Sequence, residues 1–84
     1  MQYIINDNII YNQDSRAITN IKNTDVIILS DTTSRLLSFL IKNGEKVLTR
    51  QEILINVWDI YGFKATNSTL TQHISQLRKN FMLT

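Results

Sequence analysis

The apolar residues of this 84-residue chain change their spacing at Ser30, and that change limits the folds open to it. Before Ser30 they form short β-branched and aromatic runs, Tyr3-Ile4-Ile5, Ile9-Ile10-Tyr11, Ala17-Ile18-Thr19 and Val26-Ile27-Ile28-Leu29, the composition that suits strands. Between the runs lie Asn6-Asp7-Asn8, Asn12-Gln13-Asp14-Ser15 and Asn23-Thr24-Asp25, residues that bond their own backbone and favour turns. Residues 1–29 are therefore expected to form a meander of four short antiparallel strands. It can serve as a docking platform or as plain scaffold. After Ser30 the spacing becomes helical, so strands precede helices and the expected class is α+β.

Three helices are expected in residues 30–84. Ser30 can cap one running from about Asp31 to Asn43, with Leu36, Leu37, Leu40 and Ile41 as its buried stripe and Asn43-Gly44 as its stop. Val47-Leu48 is long enough only for a small strand. Thr49-Arg50-Gln51-Glu52 has the capping-box pattern, in which the Thr hydroxyl and Glu carboxylate each take a free backbone amide. Ile53, Leu54, Val57 and Trp58 follow as the apolar side of a short second helix. Asp59 to Thr66 is a loop containing Gly62, and Asn67 or Ser68 can cap a third helix reaching to about residue 82.

That third helix carries the most suggestive pattern. Leu70, Ile74, Leu77 and Phe81 are spaced four, three and four apart, which lines one helical face. The opposite face holds Thr71, Gln72, Ser75, Gln76 and Lys79, with Arg78 at its border. Each of these can donate a hydrogen bond and none is acidic. Such a helix suits the reading of a DNA groove, and it is equally the pattern of a solvated surface helix.

Bulk properties remove other classes. One small domain is the most that 84 residues, 43% of them hydrophobic, can form. There is no cysteine and a single histidine, so neither a disulfide nor a thiolate metal site can form, and no cofactor is expected. No nucleophile, base and orienting carboxylate fall into a catalytic pattern, so the chain is not expected to be an enzyme. The longest apolar run, Val26 to Leu29, is far too short to span a membrane, and Met1-Gln2-Tyr3 lacks a basic leader. A cytoplasmic location is expected. The net charge of +2 is unevenly divided. Residues 1–30 hold Arg16 and Lys22 against three Asp, while residues 31–84 hold seven Lys or Arg against four acids. After Asp59 no acid occurs, which places the positive end at the third helix.

Three stretches carry a resemblance to a known family. Leu29-Ser30-Asp31-Thr32-Thr33-Ser34-Arg35-Leu36-Leu37-Ser38-Phe39-Leu40 is similar to a first-helix entry with a Leu-Ser/Thr cap and Arg-Leu-Leu. Gly44-Glu45-Lys46-Val47-Leu48-Thr49-Arg50-Gln51-Glu52-Ile53-Leu54, closing on Val57-Trp58, is similar to a turn, short strand and capped second helix. Thr69-Leu70-Thr71-Gln72-His73-Ile74-Ser75-Gln76-Leu77-Arg78-Lys79 resembles a recognition helix. In this order they resemble the winged helix-turn-helix effector domain of OmpR/PhoB-type transcription regulators over nearly the whole chain. Two departures stand out. The family's wing hairpin follows the recognition helix, whereas this chain stops at Leu83-Thr84, so the wing is expected to be absent or truncated. Ser34 sits where the family usually has a large apolar residue, which should thin the core under the first helix. With no receiver domain before Met1, the pattern is more like the ToxR/CadC-like subgroup. That subgroup implies a longer native chain with a membrane anchor, this segment itself making no membrane contact.

The resemblance implies roles for individual residues. Thr71, Gln72 and Gln76 would face the major groove of promoter DNA, glutamine being able to pair bidentately with adenine. Thr69, His73, Ser75, Arg78 and Lys79 would hold phosphates, and Trp58 could donate its indole N–H to one. Read without the resemblance, His73 is a partly buried, hydrogen-bonded histidine and Trp58 a core plug. Tyr61, Phe63 and Lys64 lie in the loop that in the family can touch RNA polymerase or a partner regulator; packing on the protein's own surface is the alternative. A dimer on tandem half-sites is implied, because one domain neutralises few phosphates. The rival reading is a protein-interaction module, a degenerate winged helix with little DNA affinity.

Overall fold

The computed structural model describes the chain from Met1 to Asn80, apart from Asn6, Asn23 and Glu45, and at Asn80 the backbone alone. Its strands are β1 (Gln2–Ile5), β2 (Ile9–Asn12), β3 (Ala17–Asn20) and β4 (Val26–Ile28), joined in that order into one antiparallel sheet. The turn chemistry is as expected. Asn12 Oδ1 accepts from the amides of Asp14 and Ser15 at 3.0 and 3.2 Å, folding β2 back onto β3. The register sets Tyr3 opposite Tyr11, Tyr11 opposite Ile18 and Ile18 opposite Ile27, so one face of the sheet collects the large side chains. Ile9, Tyr11 and Ile18 on that face are buried, while Ile4, Val26 and Ile28 on the other are exposed.

Of the α-helices, α1 (Asp31–Lys42) is bonded to the inner face through Tyr11, and α2 (Arg50–Val57) and α3 (Asn67–Asn80) pack on α1 and on each other. The architecture is the expected α+β one. Ser30 caps α1 by accepting from the Thr33 amide, and Asp31 stands in its first turn. The capping box of α2 is present in both directions, Thr49 with Glu52. A single 3₁₀ turn, Asp59–Tyr61, follows α2 and ends at Gly62, whose φ of +83° few side chains would tolerate. The core joins Leu29, Leu36 and Leu37 to Ile53, Val57 and Trp58, and to Leu70 and Leu77 of α3. Leu36 and Leu70 are fully buried, which by transfer free energy contributes roughly 2 kcal/mol each.

Two expectations change. Val47-Leu48 forms no strand: Val47 is 97% exposed, and among the described residues no neighbouring strand offers it a ladder. The cap of α3 is neither Asn67 nor Ser68. The Thr69 amide donates to Thr66 Oγ1 at 3.2 Å and the Leu70 amide to the Thr66 carbonyl at 3.1 Å, which makes Thr66 the capping residue. Ser34 makes polar bonds where a large apolar residue would pack. It is buried, and the hydroxyl of Tyr11, itself fully buried, bonds the Ser34 hydroxyl, the Ser34 carbonyl at 3.1 Å and the Ser38 hydroxyl at 2.9 Å. A long side chain rising from the sheet thus meets the short one under α1 through its hydroxyl. Phe81, the end of α3 near residue 82, and the wing expectation at Leu83-Thr84 lie outside the described residues.

Candidate nucleic-acid interface

The third helix is seated by its stripe, with Leu70 and Leu77 buried and Ile74 half-buried. Ser68, Gln72, Ser75 and Lys79 repeat the four, three, four spacing two positions away, about 200° around the axis, and all four are exposed. They form the centre of the outward face. Thr71 and Arg78 flank it on one side and Gln76 on the other, all exposed. Thr69 is half-buried. Six of the residues singled out from the sequence therefore share one solvent-facing surface, in which Arg78 and Lys79 bring positive charge to the last turn and no acid intervenes.

His73 and Trp58 sit differently. Trp58 is 5% exposed and belongs to the core, its ring centroid 5.3 Å from that of His73 at an angle of 46°. His73 is half-buried, and its Nδ1 lies 3.2 Å from Thr33 Oγ1. Thr33 Oγ1 in turn accepts from Ser30 Oγ at 2.9 Å. The Thr33 hydroxyl can donate to Nδ1 of a ring protonated on Nε2 or accept from a ring protonated on Nδ1, so this one bond serves either neutral tautomer. Burial pushes the His73 pKa below its ordinary value, because desolvation disfavours the imidazolium. His73 is thereby a joint among the three helices as well as a candidate for the interface edge.

Two arginines that carried no assigned role in the sequence organise the surroundings. Arg50, the first residue of α2, donates from Nε to Asn67 Oδ1 at 3.1 Å and from Nη2 to the Asn67 carbonyl at 2.9 Å and Thr71 Oγ1 at 2.5 Å. It fastens the start of α3 to the start of α2. Arg35 of α1 donates from Nε to the Val57 carbonyl at 3.2 Å, and its guanidinium lies 4.5 Å from the Tyr61 ring and 5.7 Å from the Phe63 ring. The two loop aromatics thus rest on a cation, yet remain 53% and 56% exposed, with Lys64 exposed beside them. No one-dimensional signal links Arg50 to Asn67 or Arg35 to Tyr61; each contact spans an intervening element. Among the described residues there is no group of three His, Cys, Asp or Glu that could hold a metal, and no helix is long and apolar enough to cross a membrane.

A sheet followed by a capped helix pair and an outward-facing third helix is the arrangement the three sequence stretches implied. The profile of the family described as "Transcriptional regulatory protein, C terminal" matches residues 23–83. The chain belongs to this OmpR/PhoB-type family of DNA-binding domains. Among curated relatives, the uncharacterized protein YqeI of Escherichia coli K12 is 34% identical over 82 residues, 96% of this chain and 30% of YqeI. The cholera toxin homolog transcriptional activator of Vibrio parahaemolyticus is 44% identical over 55 residues, 66% of this chain and 19% of that protein. The transcriptional regulatory protein TrcR of Mycobacterium tuberculosis is 45% identical over 53 residues, 63% and 20% of the respective chains. The chain spans less than a third of the length of each. The ToxR-like side of the family, favoured by the sequence, is represented among them.

Proposed function

We propose that this domain binds promoter DNA sequence-specifically, with α3 in the major groove. The observation that carries this reading is the outward face of α3, amides and hydroxyls throughout with cations in its last turn, on a scaffold of a DNA-binding family. Gln72, Gln76 and Thr71 contact base edges. Thr69, Ser75, Arg78 and Lys79 contact phosphates, joined at the edge by His73 and by what the buried Trp58 leaves accessible of its indole. The domain works in the cytoplasm as the DNA-reading part of a longer regulator, and pairing on tandem half-sites supplies the avidity that one small domain lacks.

Titrating the chain with promoter fragments across a salt series tests this. Binding should weaken linearly in log salt, and Arg78→Ala and Lys79→Ala should each lower that slope by about one while leaving sequence preference intact. No binding at low salt would sink the reading. One observation favours the second reading, docking to RNA polymerase or a partner regulator: Tyr61 and Phe63 are held on Arg35 yet more than half exposed. Retained DNA binding with lost transcriptional activation in Tyr61→Ala would assign both roles to one domain.

A further inference from the structure

We infer that the half-site read by α3 is centred on A·T pairs, with adenine recognised by Gln72 and the thymine methyl by Thr71; this rests on the DNA-binding reading above. Four observations lead there. Residues 67–77, the first three turns of α3, contain neither Lys nor Arg, and those are the side chains that read guanine O6 and N7. Gln72 stands at the centre line of the exposed face, between Ser68 and Ser75. A glutamine there presents one donor and one acceptor side by side, the complement of adenine N7 and N6.

The third observation concerns the guanidinium nearest these turns. Arg50 would be a guanine reader if it projected past the helix, but its Nε and Nη2 are turned onto Asn67 and Thr71. It is thus fastened to the flank of α3 rather than aimed outward from its centre. The fourth follows from the same bond. Thr71 Oγ1 accepts from Arg50 at 2.5 Å, so the χ1 rotamer of Thr71 is held and its methyl is fixed relative to the helix, one residue before Gln72 in the chain. A methyl held on the flank, one residue from a central amide, can meet a thymine methyl while the amide pairs with an adenine. Lys79, seven residues beyond Gln72 and so roughly 10 Å along the axis, falls at the far end of the footprint, where it meets phosphate.

The test begins with enrichment of random duplexes at low salt by the full chain. Bound duplexes are then resynthesised with 7-deazaadenine or 7-deazaguanine, which lack the N7 acceptor. Enriched half-sites should be A·T-centred. Replacement with 7-deazaadenine at one position should weaken binding about tenfold, in line with losing part of a bidentate contact, and 7-deazaguanine should change nothing. Gln72→Ala should abolish the 7-deazaadenine effect, and Gln72→Arg should shift enrichment toward guanine. Gln72 is exposed, so both variants should retain the helical circular dichroism of the parent. Enrichment of G·C-centred sites, or equal sensitivity to both analogues, would overturn the inference while leaving DNA binding standing. Failure to bind any duplex would overturn both.

Discussion

Removing the Tyr11 hydroxyl tests whether the sheet and first helix are joined by polar bonds rather than by apolar packing. Tyr11 is fully buried and its hydroxyl meets Ser34 twice and Ser38 once. Tyr11→Phe keeps the ring and opens no cavity of note, so the effect isolates the hydrogen bonds. The Ser34 and Ser38 hydroxyls, both in buried residues, lose their partner. A buried polar group left alone costs about 1–3 kcal/mol. Both serines lie in α1 and can swing to carbonyls one turn back, so the lower end applies and the sum is about 2 kcal/mol. That is a large part of the roughly 4–13 kcal/mol expected for a domain this size. Urea unfolding followed by the fluorescence of Trp58, the single tryptophan, reads it directly. With a slope of about 1 kcal/mol per molar, the midpoint should fall by roughly 2 M at unchanged slope. Ser34→Ala with Ser38→Ala should cost at least about 1 kcal/mol less in the Tyr11→Phe background than in the parent. A loss under about 0.5 kcal/mol, or additive costs, would refute the network.

Three more outcomes follow from the geometry around α3. Arg50→Ala should speed amide hydrogen exchange over residues 67–71 while costing the exposed bridge about 1 kcal/mol or less of global stability; unchanged local exchange would mean the bridge does not hold the helix start. Thr66→Ala should destabilise by about 1 kcal/mol and Ser68→Ala by a few tenths at most, as measured by urea midpoints, with the reverse order contradicting Thr66 as the cap. Because burial lowers the His73 pKa, the unfolded chain binds the proton more readily. Stability from this residue should therefore be complete above the ordinary histidine range and be lost as pH falls through it toward the lowered folded value. The difference between parent and His73→Gln across about pH 5 to 7.5 isolates this slope, and a pH-independent difference would rule it out.

Features that depend on one residue and its immediate neighbours were legible in the sequence. The four strands, the Ser30 cap, the Thr49–Glu52 box and the stripe through Leu70, Ile74 and Leu77 are all local patterns, and each is present. Features that depend on a partner from another element were not. Thr66, Asn67 and Ser68 can each cap a helix, and the choice is made in space: Arg50 holds the Asn67 side chain, and Thr66 meets the Thr69 amide. Ser34 taken alone implies a missing apolar side chain, and the bonds that stand in its place come from Tyr11, 23 residues earlier. Val47-Leu48 has strand-forming residues but no neighbouring strand among the described residues to bond with. The same distinction runs through the candidate interface. Which side chains face outward is a matter of helical period and could be read directly. How Thr71 and His73 are held depends on Arg50 and Thr33, residues of α2 and α1 that no helical pattern in α3 reveals. The outward surface was therefore readable as a set of donors, whereas the contacts that hold them in place come from the helices beneath it.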